Sequence, residues 1–455
     1  MARTQIDLLK GSILKVMIAF AIPFLVSNIF QQLYNTVDTI IVGYNLGDAS
    51  LAAIGASGPL YNLLVGLALG IGSGMSIVLG RNYGAGDQER LKSSVAATLI
   101  IGTIVTIALM ILSRLTIMPL LRLLETPLEI MDEAYSYIAV ITSFVGVMMA
   151  FNVFSGILRS IGDSVMPLIF LAISALANIG LDLLFIKSFK MGIRGAAIAT
   201  IIAQGLSAVL CLIYIFKKCP FLIPAKKHFA FDKELYADLV SQGVSMGLMN
   251  SLVNLGSLVM QYAINTLGYL AIAGYLAGKK LFFFTVMPLV AMCSSLSAFV
   301  AQNKGADQGF RIRKAVKYAN LISITWAAFV IVFAHYAAPV LVRLLTGSED
   351  MTVITYGVRF IRLVTPFYLV LGPLFNLRYA LQSLGRKVIP LVSSIIELIG
   401  KVIFTFWIFP FTGYPGIILC EPAIWCIMFV QLFFAFYSDP YVKAHRHEQQ
   451  YTRTM

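Results

Sequence analysis

Residues 27–43 read SNIFQQLYNTVDTIIVG, an apolar helix candidate that carries a single carboxylate, Asp38. A second apolar stretch, LANIGLDLLFI, carries Asn178 and Asp182 four residues apart, hence on one helical face. Thr200 follows in GAAIATIIAQ. Two carboxylates, an amide oxygen and a hydroxyl make an oxygen-rich set, the donor type that suits Na+ or H+. Two acids held close together also favour sharing one proton. An acid within hydrocarbon is costly and marks a functional site by default. The bland alternative is that each acid pairs with a lysine or arginine. The in-span cations Lys279, Lys280, Arg359, Arg362 and Lys401 all lie in the second half of the chain.

Other residues invite weaker readings. Pro23, fifteen residues before Asp38, removes a backbone hydrogen bond and kinks its helix, as a static bend or as a hinge. Glu397 and Lys401 stand at i and i+4 with the glutamate N-terminal, the better order for a mutually neutralising pair. Lys279-Lys280 lies mid-span, which favours a water-filled cavity over snorkelling. Gln31, Asn35, Asn254, Lys279, Asn376, Glu397 and Lys401 are the candidate cavity or substrate residues. Gly70-Ile-Gly72-Ser-Gly74 has no strand before it and no P-loop lysine after it, so it reads as close helix packing. There is no Walker motif, which excludes ATP-driven transport by this chain. His445-x-His447 in a terminal tail is not a metal site, and five scattered cysteines without a CxxC pair read as buried thiols.

The elements that position these groups are membrane spans. The chain has 455 residues, 59% hydrophobic and 12% charged, against about 25% charged in soluble domains. Its mean hydropathy is +0.86. Twelve apolar stretches are expected, near 13–42, 49–80, 93–113, 130–157, 164–186, 192–216, 237–265, 269–301, 314–337, 351–379, 387–409 and 414–437. The first runs on from a basic N-terminus with no small-residue cleavage site, so it reads as an uncleaved helix. The formal charge of +13 could point to nucleic acid, but the basic residues sit in short loops. Twenty-three Lys and Arg fall on the side of the termini and six on the other, which predicts both termini cytoplasmic. The expected organisation is a first lobe at 1–216, a cytoplasmic linker at 217–236, a second lobe at 237–440 and a tail at 441–455. The linker, KKCPFLIPAKKHFAFDK, divides six spans from six.

The halves resemble each other. GRNYGAGDQERLK at 80–92 matches AQNKGADQGFRIR at 301–313. Leu46-Gly47 meets Leu267-Gly268, and Gly192/Gly195 meet Gly413/Gly416, at one offset of 221. RSIG at 159–162 with Pro167 meets QSLG at 382–385 with Pro390, at 223. Nearly constant offsets indicate an internal duplication. Halves of six spans share one topology, the build of transporters with parallel repeats that bind substrate between them.

The chain resembles the multidrug and toxic compound extrusion (MATE) family, from Lys15 to about Tyr437. The resemblance rests on IPFLVSNIFQQLYNTVDTIIVG, GRNYGAGDQER, AQNKGADQGFR, RSIGDSVMP, NIGLDLLFI and GIRGAAIAT together. It implies an all-α membrane fold of twelve helices in two pseudo-symmetric six-helix lobes. It also implies antiport of organic cations or drugs against Na+ or H+ by alternating access. Asp38 occupies the place of the family's coupling acid. Asn178, Asp182 and Thr200 match its ion-site partners, Tyr137 and Asn152 match more loosely, and Pro23 matches a proline tied to bending of the first helix. One branch also has acids in helices 7 and 10. Here Asn250, Asn254 and Asn376 stand there instead, so all the ion chemistry is expected in the first lobe, with Na+ or H+ at Asp38 and Asp182. The expected protein is a monomeric multidrug efflux antiporter of a bacterial cytoplasmic (inner) membrane, with no cofactor and no nucleic-acid partner. The alternative is a flippase or exporter of a lipid-linked saccharide or an endogenous metabolite. No catalytic His, Cys or metal constellation supports an enzyme.

Overall fold

The computed structural model describes residues 4–124, 126–346 and 350–445, without the side chains of Asp48, Tyr269 and Thr346. The described residues are nearly all helical and contain no strand. Helices are the natural solution in hydrocarbon, because each satisfies its own backbone groups. In order they are α1 (Ile13–Leu46), α2 (Asp48–Gly84), α3 (Gln88–Leu123), α4 (Leu128–Ser143 and Val145–Ser160), α5 (Val165–Asp182), α6 (Ile193–Lys218), α7 (Lys233–Asn265), α8 (Tyr269–Gly305), α9 (Gly309–Thr346), α10 (Met351–Val364 and Tyr368–Ser383), α11 (Val388–Ile403) and α12 (Phe409–Ser438).

By length and composition alone, ten helical runs among the described residues could cross a membrane, or eleven with the two parts of α4, which meet at 46°, taken as one bent span. The last run, Val388–Ser438, is 51 residues long. Backbone hydrogen bonding continues through it, but Gly413 has φ 56° and ψ −145°, which no helix contains. Division there gives the expected twelve. Several helices outrun their expected limits. Expected at 93–113, α3 spans Gln88–Leu123: it is extended at its start by the polar turn QERLK and at its end by the mainly apolar RLTIMPLLRL, in which Arg114 and Arg122 do not stop the helix. The carboxylate of Asp87 caps it, accepting from the Arg90 N–H at 2.9 Å. Expected as one helix, α10 is interrupted by a 3-10 turn at Thr365–Phe367, where Pro366 lacks a donor.

The chain forms two compact units: Met1–Asp7 with Ile22–Ser251, and Leu8–Ala21 with Leu252–Met455. The division differs from the expected limits at both joints. The first turns of α1 belong with the second unit, and the crossing falls beside Pro23. Likewise, α7 changes unit after Ser251.

Within each unit the duplication is visible in the backbone. Gly47 and Gly268 have φ 85° and 84°, Gly162 and Gly385 have 92° and 89°, and Gly192 and Gly413 have 62° and 56°. Gly86 at φ 73° corresponds to Asp307 at 53°, one of the few side chains that tolerate this region. A π turn follows α5 at Leu183–Ser188, and another follows α11 at Phe404–Ile408, again 221 residues on.

The first unit's glycine run packs α2 against the start of α7. A Cβ at Gly70 would come within 2.6 Å of the Gly247 Cα, so only paired glycines permit this approach. The linker is pinned rather than loose. Cys219, Leu222 and His228 are buried. The Ala225 N–H donates to His228 Nδ1 at 2.8 Å, which leaves Nε2–H to face Glu89 at 3.2 Å. Lys227 holds the same carboxylate at 2.5 Å. In the tail, the Nδ1 of His445 donates to the Tyr441 carbonyl at 2.8 Å. Arg446, His447 and Arg453 lie outside the described residues.

Candidate functional site

Asp38 lies on the buried face of α1, 8% exposed, with Tyr34 one turn before it. Gln31, Asn35 and Thr39 occupy the exposed face. Asn178 and Asp182 are both fully buried on α5, and Thr200 is buried on α6. The structure brings these groups together. The Asp38 and Asp182 carboxyls are neighbours, close enough to interact electrostatically. Tyr34 and Thr200 are neighbours beside these acids. Tyr61 of α2 and Tyr137 of α4 complete the surround. Asp182 is the last residue before the π turn at Leu183–Ser188, and such turns are frequent at functional sites.

Among the described residues, five polar atoms of this cluster have no hydrogen-bond partner: Asp38 Oδ1, both carboxylate oxygens of Asp182, and Oδ1 and Nδ2 of Asn178. Buried polar groups are normally satisfied. A cluster of orphaned oxygens with no cation bonded to it is what a bound proton or Na+ would complete. Arg159, half-buried on α4, is engaged elsewhere. It donates to Ser155 Oγ at 2.9 Å and sits 5.4 Å from the Phe24 ring centroid. Counted with the loop cations, Arg159 is instead partly enclosed by α4 and α1. Asn152 is partly buried, and its Nδ2 donates to the Met148 carbonyl of its own helix at 2.8 Å. Gln31, Tyr34 and Gln204 line a narrow crevice with Leu171, Ser174, Ala175 and Ala203, between α1, α5 and α6.

The second unit is organised differently. Lys401 pairs with Glu397 at 2.9 Å, as the i, i+4 spacing implies. Lys401 also reaches Glu421 of α12 at 3.1 Å, and Lys279 reaches Glu421 at 2.9 Å. Arg378 of α10, counted among the loop cations, is instead 5% exposed and lies 3.9 Å from Glu397. Expected in or beside a cavity, Lys401 is 1% exposed and Glu397 6%. Gly256 of α7 makes room for the lysine stem, since a Cβ there would sit 2.7 Å from Lys401 Cδ. Asn376 is fully buried and donates to Asn320 and Ser323 at 3.0 Å, so it ties α10 to α9. Asn254 is half-buried on α7, while Lys280, Arg359 and Arg362 are exposed.

Sequence reasoning missed Tyr34, Tyr61, Arg378 and Glu421. For Tyr34 the signal was its i, i+4 spacing to Asp38. For Glu421 it was an acid inside an expected span, which always needs a partner.

The MatE family model matches residues 23–184 and again 246–407, covering both units at the offset of the duplication. The chain belongs to the MATE family. Its members are multidrug efflux transporters, not enzymes, so this is a multi-pass membrane protein that handles drug-like molecules. It is 27% identical over 398 residues to the probable multidrug resistance protein YoeA of Bacillus subtilis (strain 168), covering 86% of each chain. It is 28% identical over 407 residues to a protein of Shewanella oneidensis named as an FAD transporter, covering 86% of this chain and 87% of that one. Among solved structures it is similar to an outward-facing multidrug resistance MATE family transporter of the MOP superfamily. The TM-score is 0.88 at 22% identity, covering 96% and 97% of the two chains, a likeness of fold.

Proposed function

We propose that this transporter is a cation-coupled multidrug antiporter that exports organic cations or drugs in exchange for Na+ or H+. The observation that carries this reading is the buried Asp38–Asp182–Asn178 cluster, with five orphaned polar atoms and, among the described residues, no lysine or arginine bonded to it. Two facing carboxylates are costly to ionise together in a low dielectric. Binding a cation or a proton removes that cost, and removing the cation restores it. The cluster therefore responds to the cation gradient. Thr200, Tyr34, Tyr61 and Tyr137 surround the acids with neutral oxygens and exclude bulk water.

Coupling requires the ion to prefer one facing of the transporter over the other. A shift from 1:99 to 99:1 needs a preference of about 10⁴-fold. Pro23, beside the point where α1 passes from one unit to the other, is the place at which α1 bends to link ion binding to cargo. The protein works as a single chain in the cytoplasmic membrane with both termini inside.

Ethidium uptake into inverted vesicles, driven separately by Na+ and by pH gradients, tests this reading. Wild-type uptake is expected with at least one gradient. Asp38→Asn is expected to fall to the level of empty vesicles while eluting as folded protein. Undiminished gradient-driven uptake by Asp38→Asn overturns the proposal.

A further inference from the structure

Two prolines break neighbouring helices of the second unit at the same level. Pro339 of α9 has no N–H, so the carbonyl of His335, four residues before it, loses its helical donor. Pro366 of α10, in the 3-10 turn, removes the helical donor of the Arg362 carbonyl in the same way. Arg362 Nη2 covers the first of these, donating to the His335 carbonyl at 2.5 Å. Between the two breaks lies a groove of about 340 Å³, lined by Ile331, Val332, His335, Tyr336, Arg362 and Pro366.

The groove lies at the level of a membrane surface. The first turns of α9 carry Arg311, Arg313, Lys314 and Lys317, which mark the surface at its other end. Eighteen residues separate Lys317 from His335, about 27 Å of helix, against a hydrocarbon core of about 30 Å. His335 therefore sits near the opposite boundary. Tyr336, whose ring meets that of His335 edge-on at 5.2 Å, is exposed and is a residue type that favours this level. Towards the middle of the bilayer the same face of α9 presents Val332 and Phe329, both exposed. Arg362 is exposed and spends one of its five N–H donors on the His335 carbonyl. Among the described residues no carboxylate is bonded to it. A guanidinium with donors to spare therefore borders a groove at the depth where headgroup phosphates meet acyl chains.

We propose that this groove is a binding site for one anionic phospholipid, of the phosphatidylglycerol type, from the leaflet opposite the basic end of α9. Arg362 holds the phosphate by charge-assisted hydrogen bonds, and an acyl chain lies along Val332 and Phe329. The lipid supplies the negative charge that Arg362 lacks within the protein and fills the gap left at the two proline breaks. A zwitterionic phosphatidylcholine fits less well, because its own ammonium offsets the phosphate. The site belongs wholly to the second unit and is independent of the Asp38 cluster.

The test is native mass spectrometry of the purified full chain, delipidated in a neutral detergent and titrated with phosphatidylglycerol, phosphatidylcholine or soluble glycerol phosphate. The readout is the difference between wild type and Arg362→Gln, so lipid held elsewhere, at the basic loops, cancels. Wild type is expected to hold one more phosphatidylglycerol than the variant, with that site weakened at least about tenfold by the loss of hydrogen bonds from a charged group. Glutamine keeps a donor for the His335 carbonyl. Val332→Trp, which leaves every hydrogen bond in place and fills the groove, is expected to give the same loss. Arg343→Gln removes an exposed arginine of the same helix outside the groove and is expected to change nothing. Phosphatidylcholine is expected to show no difference between wild type and Arg362→Gln, and glycerol phosphate to bind at least about tenfold more weakly than the lipid. The proposal is overturned if Arg362→Gln and Val332→Trp hold as much phosphatidylglycerol as wild type, or if Arg343→Gln loses as much as Arg362→Gln. It is also overturned if phosphatidylcholine shows the same difference or glycerol phosphate binds as tightly as the lipid. Binding is read without transport, so failure here and failure of Asp38-dependent efflux are separate results.

Discussion

The two halves share a scaffold and differ in charge. Each has a π turn after its fifth helix, 221 residues apart, and matching left-handed glycines at its corners. In the first half the residue before the π turn is Asp182, which faces Asp38. In the second half it is Ile403. Within its spans the first half encloses Asp38 and Asp182, with no basic residue bonded to them among the described residues. The spans of the second enclose Glu397 and Glu421, but these are held by Lys279, Lys401 and Arg378. A tethered ammonium is a cation that cannot leave. The comparison therefore separates a half whose in-span acids have no basic partner among the described residues from a half whose in-span carboxylates are held by lysine and arginine. A duplicated fold does not require duplicated chemistry when a few side chains decide the electrostatics.

The largest expected effect tests that separation directly. Asp182→Asn should reduce gradient-driven efflux to background, whereas Glu397→Gln with Lys401→Met should reduce it less than about tenfold, because the double change removes one charge of each sign. Equal losses in the two proteins would break the comparison. A smaller effect is on folding. Lys401→Met alone takes from Glu397 its nearer cation, leaving Arg378 at 3.9 Å, and takes one of two from Glu421, and should cost about 3–5 kcal/mol, more than the double variant. Thermal unfolding in detergent reads both, and a single variant as stable as the double would show that the network is not coupled. The smallest effect concerns the linker. Burial pushes the Cys219 thiol up to about 11, so its thiolate fraction near neutral pH is about a hundredfold below that of an ordinary thiol. Maleimide should leave Cys219 unlabelled in the folded protein at pH 7.5 and label it after denaturation. Rapid native labelling would show that the linker is not packed into the first unit.

Much of this was legible in the sequence. The twelve apolar stretches, the duplication, and the set Asp38, Asn178, Asp182 and Thr200 all follow from residue type and spacing. So does the Glu397–Lys401 pair, because i, i+4 neighbours meet on any helix. Helix ends were less legible: α3 and α9 begin a polar turn before their apolar stretches and run on past single arginines after them. Nor did the linear order show that α1 and α7 each contribute to both units, because a compact unit is defined by packing.

What the sequence determined by itself is the membrane class, the repeat and the inventory of costly polar groups, since apolar length, periodicity and offset are local properties. What only the tertiary structure decided is who meets whom. Lys279 and Glu421 are 142 residues apart, and Asp38 and Asp182 are on different helices. Their encounter depends on how each helix is rotated and packed against its neighbours, and that rotation is set by contacts along the whole length of the helix. It left one pair of acids facing each other and gave the other pair to lysines and an arginine.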